Sequence, residues 1–368
     1  MHEINLDIYE LRTDLVIVHF PGKESCSNYT KKVINKDIYV EEVGINNQEE
    51  AKTFRKKEGI YKTVTFKDIS DSQNFKKVEE VFVNTLKRML EENSIKEDSS
   101  VLIIGLGNEK STPDALGPKS LNHVLVTRHL FKLGSVEEGY REVSILKPGV
   151  TGETGIETKD SILAIVENIK PNFVIVIDAL ATSSIDRLNK TIQISNSGIT
   201  PGSGVNNSRI SIDKETLKVP VIVIGVPTII DSSIIVADTI NFMLKKFSYD
   251  KNNINNKQDK LKFKIDYKDY DKDLDKDEKK YLLGIVGTLS EDELQRLVFE
   301  VLNPIDYNYM VTPKEIDFLI DKLSLLIGHG LNMALHSVKR SYSDVWLANV
   351  SCRCNNIWYT VYSGRIEE

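Results

Sequence analysis

The chain is short of the residues and patterns that most readily announce a chemistry. Cysteine occurs three times in 368 residues, at Cys26, Cys352 and Cys354. An odd number without paired C-x-x-C spacing argues against a disulfide scaffold and a structural zinc site, and is the usage expected of a reducing cytoplasm. Cys352-Arg353-Cys354 has no further Cys or His nearby and reads as part of a peripheral strand. Basic charge is not in excess either: the net charge is −6, so the electrostatic footprint of a DNA-binding protein is missing and direct nucleic-acid binding is not expected. No apolar run reaches the length of a membrane span. The opening residues, Met1-His2-Glu3-Ile4-Asn5-Leu6-Asp7, carry neither the basic nor the apolar region of a Sec-type signal. Neither export nor membrane insertion is expected.

The common cofactor and catalytic motifs are missing as well. Gly105-Leu106-Gly107 starts like a dinucleotide fingerprint, but Lys110 stands where the next glycine is required, and Ser111-Thr112-Pro113 replaces an uninterrupted helix. No Gly-Lys-Ser/Thr triplet closes a Walker loop, and no two histidines have the spacing of H-E-x-x-H. The Asp-Thr-Gly signature of pepsin-like and retroviral proteases does not occur. Nicotinamide, flavin, nucleotide and zincin chemistries therefore lack sequence support.

What is present is an ordinary globular composition, 40% hydrophobic and 28% charged, long enough to bury a large core. Mixed strand and loop extend to about Ser70. Val78, Phe82, Leu86 and Leu90 share one face of a helix that ends near Glu92. From Val101 onward, strands alternate with helices: strands at Val101, Arg141 to Leu146, Phe173 to Asp178, Thr191 to Ser195 and Val219 to Gly225, and helices over Glu157 to Asn168 and Ser232 to Leu244. This alternation predicts a three-layer αβα fold with a mostly parallel twisted sheet. Thr312-Pro313-Lys314-Glu315 reads as a capping box that starts a helix at Pro313.

Two aspartates stand out against this pattern. Asp114 follows the apolar run 101–108, and Asp178 directly follows Phe173-Val174-Ile175-Val176-Ile177. Chain leaving a buried parallel strand emerges at the carboxyl edge of the sheet, where open α/β folds keep their sites. Asp114 beside Pro113 could simply cap the helix beginning near Pro118. Asp178 is harder to explain structurally, because a carboxylate after five apolar residues is poorly solvated and needs a partner or a task. Two carboxyl groups in one crevice would split their pKa values, so that one stays protonated while the other activates water, as peptide hydrolysis by an acid pair requires. The same pair could bind a divalent metal that activates the water itself.

The residues around these positions resemble the spore germination protease family of endospore-forming bacteria. The resemblance rests on long ordered blocks: Gly105-Leu106-Gly107-Asn108, Thr112-Pro113-Asp114-Ala115-Leu116-Gly117-Pro118, Val126-Thr127-Arg128-His129-Leu130-Phe131 and Ile177-Asp178-Ala179-Leu180-Ala181. It continues through Thr191-Ile192-Gln193-Ile194-Ser195-Asn196-Ser197-Gly198-Ile199, Pro201-Gly202-Ser203-Gly204-Val205, Gly225-Val226-Pro227-Thr228, Met310-Val311-Thr312-Pro313-Lys314-Glu315-Ile316-Asp317 and Gly330-Leu331-Asn332 with Ala334-Leu335-His336. It spans Arg12 to His336 without the Lys/Asp/Asn-rich segment after Tyr249.

The resemblance implies an endopeptidase that degrades small acid-soluble spore proteins at germination, with Asp114 and Asp178 as its essential acids. It implies a cytoplasmic protein of the spore core, generally a homotetramer, with no cofactor. It also implies a zymogen. The family's cleavage context, Arg-Thr-Asp before Leu, falls on Arg12-Thr13-Asp14-Leu15, so the scissile bond is expected between Asp14 and Leu15. Such an arm could inhibit by blocking the crevice or by holding the catalytic residues apart. A more distant similarity to hydrogenase maturation endopeptidases implies a phosphorylase/hydrolase-like sheet and keeps the metal alternative open. Its candidate third ligands would be His129, or His336 on the face it shares with His329. A spore protein that binds the same substrates without cutting them is the third reading.

The expected organisation is a propeptide over 1–14, a catalytic domain over 15–246, a charged low-complexity insertion over 247–281, helices packing on the catalytic domain over 282–337 and an extra tail over 338–368. Gly152, Gly155, Gly202 and Gly204 read as turn glycines. The loops that hold them could still form a substrate groove, for which Thr151, Thr154, Glu157 and Asp231 are the candidates.

Overall fold

The computed structural model of the chain describes residues 14–16, 28–134, 136–200, 211–253, 267, 270, 272–305 and 307–337. Most of the expected propeptide, residues 254–266, 268, 269 and 271 of the charged insertion, the tail, all three cysteines, Gly202 and Gly204 lie outside the described residues.

Four strands with apolar side chains on both faces form the heart of the sheet: β4 (Val101–Gly105), β5 (Val143–Leu146), β6 (Phe173–Thr182) and β8 (Val221–Asp231), paired in parallel. Parallel strands need cover on both sides, and alternate residues divide accordingly. Ile103, Phe173, Ile175, Ile177, Ile222 and Ile224 face one layer, built from α2 (Ser72–Glu92), α3 (Leu116–Leu121) and α11 (Ile316–Leu335). Leu102, Ile104, Val174, Val176, Val221 and Val223 face the other, against α6 (Thr158–Ile169) and α7 (Lys214–Leu217). The expected three-layer α/β architecture is present.

The sheet is mixed, because an antiparallel half continues it. β7 (Thr191–Ser195) runs antiparallel to β8, and the meander β1 (Tyr29–Asn35), β2 (Ile38–Ile45) and β3 (Gly59–Phe66) extends it outward. The strand order is β1-β2-β3-β7-β8-β6-β4-β5, and β9 (Met310–Val311) pairs with the end of β8. On the second face of this half, α1 (Gln48–Phe54) packs Phe54 with Val43, Ile45, Tyr61 and Val16. The short helices α4 (Arg128–Lys132) and α5 (Thr151–Thr154) lie in connections flanking β5. Away from the sheet, α8 (Ser232–Asn253) and α10 (Glu291–Leu302) bury Ala237, Leu294 and Val298 in a satellite cluster, with α9 (Lys276–Leu283) between them in the chain.

Four local expectations need correction. β6 does not stop at Asp178: the small residues Ala179 and Ala181 let it run on beside β8 to Thr182, with a bulge at Leu180/Ala181. No capping box starts α11. Thr312 donates its hydroxyl to the Thr228 carbonyl (2.9 Å), anchoring the chain to β8, and the helix begins three residues after Pro313, at Ile316. α8 continues to Asn253, into the charged segment expected to be an insertion. Finally, among the described residues α11 is long and apolar enough to cross a membrane, although no such run was expected. Here it is the central core helix, with Ile320, Leu323, Leu326, Ile327 and Leu331 fully buried. Its glycines allow the close packing: a Cβ at Gly330 would fall 2.5 Å from the Phe82 ring, and one at Gly328 2.4 Å from His123.

Candidate active site

Gly105 and Gly107, which looked like a fragment of a nucleotide motif, fold the Asp114 loop back onto the sheet. Gly105 ends β4, and a Cβ there would meet the Gly117 carbonyl at 2.5 Å, so glycine lets α3 approach the strand end. At Gly107 the chain turns with φ +109°, and a Cβ would lie 2.0 Å from the Asp114 carbonyl oxygen. Only glycine tolerates both the dihedral and the contact. The returning loop ends in a single 3-10 turn, Thr112–Asp114. Asp114 Oδ2 accepts the Asn108 N–H at 2.6 Å, which fixes the carboxyl group against the loop that carries it.

Asp178 is the sixth of the ten β6 residues. Ile177 is opposite Gly105, the last residue of β4, so Asp178 marks the carboxyl edge of the β4–β6 pair although its own strand continues. Val174 and Val176 face the second layer, and Asp178, next in alternation, points to the same side. Its Oδ1 accepts the N–H of Ala179 (2.9 Å). Burial pushes its carboxyl group well above the usual carboxylate range, and the charge of Asp114 and then that of Asp14 push it further. Burial also raises Asp114, against the lowering effect of the Asn108 hydrogen bond. The two aspartates are thus electrostatically coupled, with Asp178 the better holder of a proton and Asp114 the better carboxylate. Such a pair can deliver and accept protons at one bond.

Beside them lies the short segment from Asp14 to Val16. The Asp14 N–H donates to the Ala181 carbonyl (3.0 Å), and the Asp14 carboxylate accepts the Ala181 N–H (2.9 Å). Gln193 on β7 grips the same segment: its Nε2 donates to the Asp14 carbonyl (3.2 Å) and its Oε1 accepts the Val16 N–H (3.0 Å). Leu15 and Val16 are fully buried. Lys56 is close enough for the Asp14 charge to favour its ammonium form, although burial outweighs this and lowers its pKa. The Asp14–Leu15 bond expected to be cut is therefore held in the same neighbourhood as the two aspartates.

The groove candidates divide. Thr151, Thr154 and Glu157 lie on or just after α5, with Thr151 Oγ1 donating to Glu157 Oε2 (3.4 Å). Ion pairs Lys110–Glu153 (3.0 Å) and Lys147–Glu109 (3.3 Å) tie this region to the Asp114 loop. Asp231 is placed differently. It is buried six residues along β8 from Gly225, the partner of Asp178, and its carboxylate accepts from Ser233 N (2.9 Å), Ser233 Oγ (2.5 Å) and Asn308 Nδ2 (3.1 Å). It caps the start of α8, a structural task for this carboxylate.

For a divalent metal, the two aspartates would need further donors. Among the described residues no group of three or more His, Cys, Asp or Glu side chains is arranged to hold one. His336 Nδ1 accepts the Arg141 N–H (3.1 Å), His329 packs edge-on against His123, and His129 lies within α4. The residue that sequence reasoning overlooked is Gln193. Its signal was an amide between Ile192 and Ile194 in a strand whose five residues are all buried.

A family model described as germination protease matches residues 23–345. Relatives named germination protease include one from Bacillus subtilis (strain 168), 44% identical over 358 residues, covering 91% of this chain and 95% of its own. Others from Geobacillus sp. (strain WCH70) and Bacillus cereus (strain G9842) are 43% and 45% identical, each covering 90% of this chain and 95% of its own. Among solved structures, a [NiFe] hydrogenase maturation protease from Thermococcus kodakarensis KOD1 aligns with 39% of this chain and 80% of its own at 20% identity. Its TM-score of 0.27 is too low to carry an argument. The match across most of the chain decides the matter: the chain belongs to the germination protease family of endopeptidases.

Proposed function

We propose that this endopeptidase initiates degradation of small acid-soluble spore proteins, is made as a zymogen cut between Asp14 and Leu15, and hydrolyses peptide bonds with Asp114 and Asp178. The observation that carries the reading is the docking of Asp14 and Leu15 beside a half-buried acid whose pKa responds to both Asp114 and Asp14. In this scheme Asp114, ionised, takes a proton from water as the water oxygen bonds to the carbonyl carbon. Asp178, protonated, gives its proton to the leaving nitrogen when the tetrahedral adduct collapses and the C–N bond breaks. The products are a carboxylic acid and an amine. Proton exchange between the carboxyl groups restores the starting pair.

The same proposal has the protein acting in the spore core as a homotetramer on protein substrates, without nucleic acid, membrane or cofactor. The test uses chain beginning at Leu15 and a purified small acid-soluble spore protein, with Asp114→Asn and Asp178→Asn and with or without chelator. Cleavage that survives chelation and disappears in both variants supports the acid pair. Loss on chelation with recovery on added metal would turn the aspartates into ligands. Activity retained in either variant would refute the assignment.

A further inference from the structure

Gln193 occupies a position that anchoring the N-terminal segment does not exhaust. In register across the sheet stand Thr63 on β3, Gln193 on β7, Gly225 on β8 and Asp178 on β6. Residues paired in this way point to the same face. Gln193 and Asp178 therefore share a face two strands apart, with axes about 10 Å from one another. Between them Gly225 has no side chain, and Leu180 lies over it, 2.3 Å from where a Cβ would be. The Asp14–Val16 segment spans this gap, from Ala181 on β6 past Gln193 to the apolar cluster of Val43 and Tyr61.

The Gln193 amide can be oriented only one way. A backbone carbonyl accepts and a backbone N–H donates, so Nε2 must meet the Asp14 carbonyl and Oε1 the Val16 N–H. The two contacts bracket the Asp14–Leu15 bond. The carbonyl that receives the Gln193 donor belongs to the very bond expected to break. Gln193 is itself held by backbone pairing to β3 and β8 and is 7% exposed. A fixed donor on a carbonyl oxygen in a buried site is the arrangement that stabilises negative charge as the oxygen acquires it. Thr63, its register partner on β3, is also fully buried, and its hydroxyl has no hydrogen-bond partner among the described residues.

We propose that Gln193 is a third catalytic side chain: its amide N–H stabilises the oxyanion on the scissile carbonyl, while its amide oxygen holds the N–H two residues further on. The proposal rests on the reading of Asp114 and Asp178 as the acid pair and Asp14–Leu15 as the cut bond. As water adds, the carbonyl π electrons move onto the oxygen facing Nε2, and they return when the C–N bond breaks. Gln193 gains and loses no proton. An external substrate takes the same place once Leu15 and Val16 have left it.

The test separates catalysis from anchoring by removing the arm. In chain beginning at Leu15 the Asp14 carbonyl is gone, so Nε2 has nothing of the arm left to hold and only the Oε1 contact with the Val16 N–H remains to be anchored. Gln193→Ala and Gln193→Glu are assayed there for kcat and KM on a purified small acid-soluble spore protein, with thermal melting to confirm folding. The expected result is a fall in kcat of about 10² to 10³ with KM little changed. Glutamate should be worst at neutral pH and recover partly in acid, where its protonated carboxyl can donate again. Unchanged kcat in both variants, with only the conversion of the full chain slowed, would overturn the proposal. So would a loss confined to KM, or equal loss in both variants at every pH. Failure of the underlying reading is distinct: the unsubstituted chain would not cut, or Asp178→Asn would remain active.

Discussion

Glutamine at position 79 is expected to stabilise the protein above neutral pH and leave it unchanged in acid. Glu79 lies in the apolar stripe of α2, beside Val78, Phe82 and Val83, and is 8% exposed. Its Oε1 is 3.8 Å from His329 Nδ1 on α11, and His123 packs edge-on against His329 with ring centroids 5.9 Å apart. Burial first, then the charge of Glu80, raise the Glu79 pKa from 4.5 to about 7, with Lys76 opposing. Burial, helped by His123, lowers that of His329. At mid-range pH the pair is therefore a neutral acid beside a neutral imidazole. Between pH 4.5 and about 7 the folded chain keeps a proton that the unfolded chain has lost, so stability falls as pH rises through this window. At about 1.4 kcal/mol per unit, the penalty above pH 7 is about 3 kcal/mol. Glutamine has a similar shape and no charge to bury. Urea unfolding at pH 4.5, 6, 7 and 8 should give Glu79→Gln and the unsubstituted chain similar stability at the acid end, with the variant more stable by about 3 kcal/mol at pH 8. Other titrating groups cancel in the difference. A gap that does not change with pH would refute the reasoning.

Three further outcomes follow from the site. Because Asp178 must keep its proton while Asp114 is ionised, kcat/KM should fall as pH rises through the raised Asp178 pKa; a profile with no fall on the alkaline side would contradict the assigned roles. Gly107→Ala should lower cleavage by at least about 10²-fold with the fold retained by circular dichroism, because the added Cβ displaces Asp114; near-normal kcat would show that the loop position does not matter. Asp231→Ala should remove the α8 cap at a cost of about 1 to 2 kcal/mol in thermal unfolding while leaving kcat intact. A selective rise in KM would place Asp231 in the groove.

The apolar half of the fold was legible because its signal is one-dimensional. Four or five consecutive large apolar residues between turn-forming sequences have few homes other than a buried strand, and β4 and β6 begin at the expected residues. What failed was reading past a charge. Asp178 looked like the end of a strand because carboxylates are rarely buried in one, yet β8 supplies a backbone partner through Thr182 whatever side chain β6 carries. In the antiparallel half β7 was expected at its observed bounds but the pairing was illegible, for the opposite reason: Glu41, Thr63 and Gln193 interrupt the pattern, and only the register of β2, β3, β7 and β8 shows that they share one face. Thr312 illustrates competition for one hydroxyl. The sequence Thr-Pro-Lys-Glu fits a cap, but a carbonyl brought in from Thr228, 84 residues away in sequence, accepts from it instead.

The two ways in which an N-terminal arm could inhibit, by occupation or by separating the aspartates, are now unequal. With Asp14 in place, Asp178 still feels the charge of Asp114, so the docked segment has not carried the pair out of electrostatic contact. What the segment does consume is hydrogen-bonding capacity: the N–H and carbonyl of Ala181 are engaged by Asp14, and both polar ends of the Gln193 amide are engaged by Asp14 and Val16. An extended substrate needs backbone partners of this kind, and a donor N–H already committed cannot hold a second strand. Occupation is therefore the inhibition this geometry supports. Cutting the Asp14–Leu15 bond alone would not lift it until Leu15 and Val16 give up their burial, which at about 1.5 to 3 kcal/mol for each side chain delays but does not prevent release. Conversion followed by mass spectrometry should accordingly run ahead of the appearance of activity on an added substrate, and strict coincidence of the two would argue that the aspartates themselves rearrange.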